Sequence, residues 1–230
     1  VDIPEDIAHA TCAFPENGFS VDPAYMAVPA MRTRPAVADL TAAAKLLCNS
    51  KRPLMLCGGG VHISRAAETV TRFAESTNIP VAHTMSGKGS IACTHPLSAG
   101  IFGRYDRIAN QLIEESDVLL VVGCKLGEIA TKRYTLPALG KKLIHLDIVA
   151  EEIGRNVMPT VSLWGDAREG LVELLDVVSN EGLQKQFAGW AATVVRRMNQ
   201  WRALVEPRLT ATEKPINMAR LLHELNLHLP

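Results

Sequence analysis

Residues 53–60 read Pro-Leu-Met-Leu-Cys-Gly-Gly-Gly, a short apolar run that ends in three consecutive glycines. An apolar run of this length predicts a strand buried on both faces, and the glycines predict a tight turn at its end. A helix is predicted next, over residues 64–76, with Ala67, Val70 and Ala74 on one face. The stretch therefore indicates a strand, a turn and a helix, the opening unit of a parallel α/β sheet.

The same alternation of strand and helix continues along the chain. Further strands are predicted at residues 80–83, 117–122, 143–147 and 160–164, with a sixth near 97–100, and helices at 105–115 and 167–178. Apolar strands between amphipathic helices indicate a parallel sheet covered on both faces. Because crossovers between parallel strands are right-handed, the predicted fold class is α/β, a doubly wound, mostly parallel six-stranded sheet.

Composition and charge exclude several classes of function. The 230 residues are 47% hydrophobic and 21% charged, and the formal net charge is zero. A neutral chain has no electrostatic reason to bind nucleic acid or an anionic membrane surface. The longest strongly apolar run, residues 118–122, is too short to span a bilayer. The five cysteines are scattered without a Cys-x-x-Cys pair, which argues against a zinc site and favours a reducing cytoplasm.

The ends of the chain differ in character from its centre. Residues 1–35 contain five prolines and little periodicity, and we expect an inter-domain linker and the end of a preceding domain. Residues 36–180 are predicted to form the central α/β domain, residues 181–214 a long helix and a linker, and residues 215–230 the start of a following domain. The chain begins without methionine or a signal sequence, so we expect a piece of a longer polypeptide.

Glycines and short polar side chains follow several predicted strands. The candidate residues at the ends of the last three strands are Gly123, Lys125, Asp147, Ile148, Asp166 and Ala167. Ligands of open α/β sheets bind at the carboxyl ends of strands, where the strand order reverses. Lys125 is therefore a candidate for a phosphate contact, and Asp147 for a ribose hydroxyl or an adenine amine. Alternatively, Asp147 serves a turn and Asp166 only caps a helix.

The glycine turn at residues 58–60 is the best single candidate for a ligand site. Glycines let the backbone approach a ligand, and the N–H groups that open the next helix suit a phosphate. The turn departs from the dinucleotide pattern Gly-x-Gly-x-x-Gly, because its third glycine position is Ile63 and the next strand ends in His83 instead of an acid. A tight strand-to-helix turn without a ligand is the alternative.

The remaining polar residues match no catalytic or metal-binding pattern. The histidines lack metal-ligand spacing, and Ser86 lies outside a Gly-x-Ser-x-Gly motif. Residues 85–90, Met-Ser-Gly-Lys-Gly-Ser, are not a Walker loop, because the lysine precedes the last glycine. We therefore expect neither a catalytic residue nor a metal ligand in this chain.

Twelve residues are predicted to form a cofactor site: Gly58, Gly59, Gly60, Thr84, Met85, Gly100, Gly123, Lys125, Asp147, Ile148, Asp166 and Ala167. A longer series of motifs contains these residues and runs in the order Val1-Asp2-Ile3-Pro4, Lys51-Arg52-Pro53, Gly58-Gly59-Gly60, Thr84-Met85-Ser86-Gly87-Lys88-Gly89, Gly100 with Gly103, residues 117–123, His145-Leu146-Asp147-Ile148 and Gly165-Asp166-Ala167. This series, over residues 1–178, resembles the central domain of thiamine-diphosphate-dependent enzymes of the acetolactate-synthase-like family. The resemblance implies a Rossmann-like, DHS-like NAD/FAD-binding type of fold. It also implies that residues 1–6 form the closing strand of a pyrimidine-binding domain and residues 216–230 open a diphosphate-binding domain.

The resemblance further implies what the parent enzyme does. Such an enzyme is a lyase or transferase that acts on 2-keto acids or related carbonyl compounds with thiamine diphosphate and Mg²⁺. Both cofactors belong to the two flanking domains, so this chain is expected to be structural and inactive by itself. The same resemblance implies a homodimer or homotetramer in the cytoplasm.

In this family the central domain holds FAD, ADP or no ligand. Where FAD is bound, the segment after the central strand resembles Gly-Ala-Arg-Phe-Asp-Asp-Arg, whereas residues 123–129 here read Gly-Cys-Lys-Leu-Gly-Glu-Ile. Lysine lacks the planar fork of arginine, and isoleucine supplies no donor. An empty site or an adenine nucleotide such as ADP or CoA is therefore favoured over FAD. The rival interpretations are an NAD-dependent deacylase and a stand-alone flavin-binding module of similar fold.

Overall fold

The structure is a computed structural model that describes residues 2–13, 15, 16, 18, 20–105, 108–182 and 186–229. The chain divides into two compact units, Val1–Met31 and Arg32–Pro230. The first unit contains the short helix α1 (Glu5–Ala8) and a 3-10 turn at Pro23–Tyr25. Helix α1 replaces the strand expected over residues 1–6, of which Val1 lies outside the described residues. The acidic residues at positions 5 and 6 suit the first turn of a helix.

The second unit alternates strands and helices. Its strands are β1 (Pro53–Cys57), β2 (Val81–His83), β3 (Ser98–Ile101), β4 (Val118–Val122), β5 (Lys142–Asp147) and β6 (Val161–Trp164). Its helices are α2 (Val37–Cys48), α3 (Gly60–Ile63), α4 (Ala67–Thr77), α5 (Ile108–Glu115), α6 (Ala167–Asn180), α7 (Ala188–Leu209) and α8 (Met218–His228). Residues 106, 107 and 183–185, within the stretches predicted at 105–115 and 181–214, lie outside the described residues.

All six strands are parallel and follow the order β3-β2-β1-β4-β5-β6. The order reverses between β1 and β4, which makes their carboxyl ends the switch point of the sheet. Both strands are buried along their whole length, as inner strands between two helical layers must be. The predicted doubly wound α/β fold is therefore confirmed. The sixth strand, expected near residues 97–100, is β3.

The helix predicted over residues 64–76 begins three residues later than expected, after a break that separates it from a short preceding helix. Helix α3 ends at Ile63, and α4 begins only at Ala67. Between them Arg65 has a φ of 52°, in the left-handed region that an α-helix cannot contain. The hydroxyl of Ser64 donates to Asp166 at 2.9 Å. A tertiary hydrogen bond thus fixes the break, and the helical spacing of the apolar residues could not reveal it.

The long helix expected within residues 181–214 is α7, and it packs on its own domain. The buried residues of α7 are Trp190, Ala191, Val194 and Met198. The indole N–H of Trp190 donates to the carbonyl oxygen of Pro53 at 2.9 Å, which joins α7 to the start of β1. No helix in the described part of the chain is long and apolar enough to cross a membrane.

An ion pair ties the start of the second unit to the last strand-to-helix turn. Arg32 Nη1 lies 2.7 Å from Asp166 Oδ1 and 3.1 Å from the hydroxyl of Ser64. The side chain of Asp166 is only 2% exposed, and it also accepts the N–H groups of Arg168 and Glu169 at the start of α6. A buried carboxylate needs such partners, because an unpaired buried charge costs several kcal/mol. Asp166 is therefore the N-cap of α6.

Two glycine turns touch through their backbones at the switch point. The N–H of Gly58 donates to Val122 O, and the N–H of Gly60 donates to Gly123 O, both at 3.0 Å. A Cβ at Gly58 would lie 2.2 Å from Gly123 O, and one at Gly60 would lie 2.8 Å from Gly123 Cα. Gly123 has a φ of 53°. These positions have no room for a side chain, so the glycines are required for packing whether or not a ligand binds.

We predict that Gly60→Ala lowers the free energy of unfolding by about 2–3 kcal/mol, because the new Cβ would push two turns apart. Gly127→Ala is the matched control, because a Cβ at Gly127 would meet nothing within 4 Å. The control should change stability by less than about 0.5 kcal/mol. Urea unfolding followed by circular dichroism measures both values. A neutral Gly60→Ala variant would contradict the contact, the more clearly because alanine is the better helix former.

Candidate ligand-binding cleft at the switch point

A cleft of about 740 Å³ opens at the carboxyl ends of β1, β2 and β4. Three segments line it: residues 58–60 with Ile63 after β1, residues 84–86 after β2, and residues 123–130 after β4, together with Phe102. Small-molecule sites have volumes of about 300–1,000 Å³ and occur at the switch points of α/β sheets. Position and size therefore mark this cleft as the candidate site.

The structure brings most of the predicted site residues together. Seven of the twelve line the cleft: Gly58, Gly59, Gly60, Thr84, Met85, Gly123 and Lys125. They come from turns that are far apart in sequence and meet because their strands are parallel neighbours. Their role in ligand binding stays a prediction.

The other predicted residues lie outside the cleft. Gly100, in β3, faces α7, since a Cβ there would lie 3.8 Å from Met198 Cε. Asp147 is nearly buried, and its Oδ1 accepts the N–H of Val149 at 3.0 Å, which is the turn role considered as the alternative. Ile148, Asp166 and Ala167 follow β5 and β6 on the far side of the reversal point.

The turn after β2 rests directly on the turn after β1. The N–H of Thr84 donates to Cys57 O at 3.0 Å, and the Thr84 hydroxyl accepts the N–H of Gly87 at 3.0 Å. A Cβ at Gly87 would lie 2.3 Å from Cys57 O. Gly87 thus packs this turn against the end of β1, and Thr84, Met85 and Ser86 of the same turn line the cleft.

Sequence reasoning missed the apolar part of the lining and one acidic residue beside it. The lining includes Phe102, Leu126 and Ala130, which carry no chemical signature in the sequence. Glu152, in the 3-10 turn Ala150–Glu152 that follows β5, is nearly buried and forms an ion pair with Lys125 at 3.3 Å. The position of Glu152 a few residues after the end of β5 is the one feature of the sequence that could have placed it near the cleft.

His145, Cys57 and Cys124, in or next to the cleft, are buried and uncharged at neutral pH. His145 donates from Nε2 to Cys124 O at 3.0 Å, while its Nδ1 is buried without a partner among the described residues. Burial lowers the pKa of His145, and the negative charges of Asp147 and Glu152 oppose that shift in part. Burial raises the pKa of the Cys124 thiol to about 11 and also raises that of Cys57. These thiols stay protonated at neutral pH and are poor nucleophiles.

The described residues contain no group of three or more His, Cys, Asp or Glu side chains that could hold a metal ion. Asp166 lies in the sequence Gly-Asp-Ala, but its carboxylate is already used by Arg32 and by the N–H groups of α6. A site for Mg²⁺ and a diphosphate therefore does not fit at Asp166.

Fold and cleft together define a doubly wound, Rossmann-like α/β domain with a cleft at its switch point. Residues 40–174 match the sequence family described as the central domain of thiamine pyrophosphate enzymes. The chain belongs to this family, which confirms the resemblance drawn from its motifs. Thiamine pyrophosphate is the same compound as thiamine diphosphate.

Several proteins similar to this chain are named acetolactate synthases. The chain is 37% identical over 185 residues to the probable acetolactate synthase large subunit of Methanocaldococcus jannaschii, covering 80% of the chain and 30% of that relative. It is 35% identical over 194 residues to acetolactate synthase 3, chloroplastic, of Brassica napus, and the match covers 83% of the chain and 29% of that relative. For acetolactate synthase, chloroplastic, of Arabidopsis thaliana, the identity is 34% over 195 residues, and the match covers 83% of the chain and 28% of that relative. The chain thus spans about three tenths of the length of these relatives.

We predict that buried, neutral His145 makes the domain less stable as the pH falls. Because its folded-state pKa is lowered, the unfolded chain takes up a proton first, near pH 6.5. Stability is therefore complete above that pH and is lost as the pH falls toward the folded-state pKa, by at most about 1.4 kcal/mol per pH unit for one proton.

The variant His145→Gln keeps an N–H donor for Cys124 O but removes the titration. Urea unfolding between pH 8 and pH 5 should show a shallower loss of stability for the variant than for the wild type. Equal slopes would show that protonation of His145 is not coupled to unfolding.

Proposed function

We propose that this chain is the central, non-catalytic domain of a thiamine-diphosphate-dependent enzyme of the acetolactate-synthase-like group, and that its cleft binds an adenine nucleotide. The observation that carries the proposal is the cleft at the switch point, formed by the family's own motifs. The domain spaces the two cofactor-binding domains of the same polypeptide and presents the cleft at one edge of its sheet.

The size of the relatives supports a parent enzyme with further domains. The relatives are named acetolactate synthases, and the chain covers about three tenths of each. Helix α8 has no buried residue, and Leu222, Leu225 and Leu227 on it are exposed. Exposed leucines on one helix suit a covering surface, which we assign to the diphosphate-binding domain.

The parent enzyme, in this proposal, is a lyase or transferase that acts on 2-keto acids or related carbonyl compounds. The pyrimidine-binding and diphosphate-binding domains hold thiamine diphosphate and Mg²⁺, and thiamine diphosphate supplies the carbanion chemistry. The assembly is a cytoplasmic homodimer or homotetramer.

The lining of the cleft favours an adenine nucleotide over FAD. Glycine backbone at residues 58–60 lets a flat ring approach closely, and Met85, Phe102 and Leu126 provide apolar contacts. Among the described lining residues Lys125 is the basic one, and it already pairs with Glu152. An adenine nucleotide can leave its phosphates in solvent, whereas the diphosphate of FAD joins two ring systems and would need more donors than this lining offers. ADP and CoA share the adenine ring and are the ligands to test.

We predict that ADP stabilises the wild-type protein through this cleft. At a ligand concentration 100 times Kd, the gain is about 2.7 kcal/mol, which raises Tm by roughly 5–10 °C in a domain of this size. Gly127→Phe should abolish the shift, because position 127 lies in the cleft with open space around it. Differential scanning fluorimetry with ADP, CoA and FAD measures the shift.

Gly189→Phe is the matched control for this experiment. Gly189 is an exposed position on α7 that also has nothing within 4 Å of an added Cβ. The control should keep the full shift with ADP. Equal shifts in Gly127→Phe and wild type would place the ligand elsewhere, and the absence of any shift in the wild type would remove nucleotide binding from the proposal.

We also predict that the polypeptide in which this domain is joined to both cofactor-binding domains forms acetolactate from pyruvate. The reaction should require added thiamine diphosphate and Mg²⁺, whereas the 230-residue chain alone should consume no pyruvate. NMR detection of the product measures both. Turnover of a 2-keto acid by the isolated chain would contradict the assignment, as would activity of the longer polypeptide that does not depend on thiamine diphosphate.

A further inference from the structure

A nearly buried carboxylate holds two cations at the rim of the cleft. The side chain of Glu152 is 9% exposed, and its Oε1 lies 3.3 Å from Lys125 Nζ and 3.2 Å from Arg155 Nη1. Lys125 lines the cleft and is 72% exposed. The acid is thus fixed by burial, while the lysine could swing toward a ligand. The ammonium group of Lys125 can therefore pair either with the Glu152 carboxylate or with a phosphate of a ligand.

The backbone around Lys125 is attached to the same turn region as Glu152. The side-chain amide of Asn156 donates to Lys125 O at 3.1 Å and to Leu126 O at 3.2 Å. These bonds join the loop after β4 to the residues after β5. Because the backbone is held there, the fold keeps the two residues close enough to pair, while the exposed side chain of Lys125 stays able to turn.

Energetics favour the internal ion pair over a contact with a ligand phosphate. If Lys125 turned away, the buried Glu152 would keep only Arg155 among the residues that the structure describes, and an undercompensated buried charge is costly. A contact between an exposed lysine and a phosphate is weakened by solvent and salt, so in the wild type it does not offset the lost compensation of Glu152. The lining also includes Glu128, which repels an anion. Phosphate groups therefore have little to gain at this rim.

We propose that Glu152 is a specificity-determining residue of the cleft: an internal counter-ion that occupies its lysine and so selects the nucleoside part of a ligand over its phosphates. This inference rests on the proposed adenine site. It assigns the cleft to ligands recognised through their ring and sugar, with phosphates left in solvent. In the wild type, adenosine, AMP and ADP should bind with affinities within about threefold of one another.

The test is calorimetric titration of Glu152→Gln with adenosine, ADP and inorganic pyrophosphate. The nearly isosteric amide releases Lys125 and Arg155, so affinity for ADP and for pyrophosphate should rise about tenfold, while affinity for adenosine stays the same. Glu152→Asp, which only shortens the side chain, should give a smaller gain. The double variant Glu152→Gln, Lys125→Ala should lose most of the gain.

Glu151→Gln is the matched control. Glu151 is exposed on the same 3-10 turn, and the substitution changes the net charge by the same amount. It should shift the affinity for ADP less than twofold, because exposed charges act weakly on one another. An equal gain in this control would reduce the effect to net charge and overturn the inference.

The three ligands separate this inference from the proposed function. Adenosine binding to both proteins without a gain for ADP or pyrophosphate in Glu152→Gln would overturn the role of Glu152 and leave the adenine site standing. A gain for pyrophosphate without adenosine binding would support the role of Glu152 as counter-ion and remove the adenine site. Binding of no ligand by either protein would overturn both.

Discussion

The contact between the glycine turns after β1 and β4 is the constraint on which the rest of the domain depends. Gly58 and Gly60 each approach Gly123 so closely that a Cβ would overlap backbone atoms. Hydrogen bonds of 3.0 Å from both glycine N–H groups hold the approach. Because β1 and β4 are adjacent at the reversal of the sheet, this contact lies at the base of the crevice between the strand ends. The turn after β2 then packs on the first one and completes the wall.

The buried carboxylates at this edge of the sheet form ion pairs within the domain. Asp166 and Glu152 are both nearly buried carboxylates, and each is held by basic side chains. Asp166 uses Arg32 to fasten the start of the unit and caps α6, while Glu152 retains Lys125 beside the cleft. A buried carboxylate needs basic side chains of the protein as partners, so those side chains are less available to a ligand. The cleft consequently presents backbone, apolar surface and few available charges.

The sequence predicted the sheet better than it predicted the site. Runs such as residues 118–122 are apolar throughout and bounded by turn residues, so strand positions and parallel order followed from local pattern. The glycine turns were identified for the same reason. The ion pair of Asp166 with Arg32, the break at Arg65 and the ion pair of Glu152 depend on partners more than ten residues away or on left-handed backbone. No periodicity records such partners, which is why polar strand-end residues were assigned to a ligand when the fold uses several of them itself.

Amide hydrogen exchange at the two turns tests the central claim most directly. Loop amides normally exchange fast, but those of Gly58, Gly60 and Gly123 donate to Val122 O, Gly123 O and Leu146 O inside the packed junction. In the ligand-free protein these three amides should therefore exchange as slowly as those within β4, through unfolding of the whole domain. Exchange at the rate of an unstructured peptide would show that the turns are not held against each other, and the account built on their contact would be wrong.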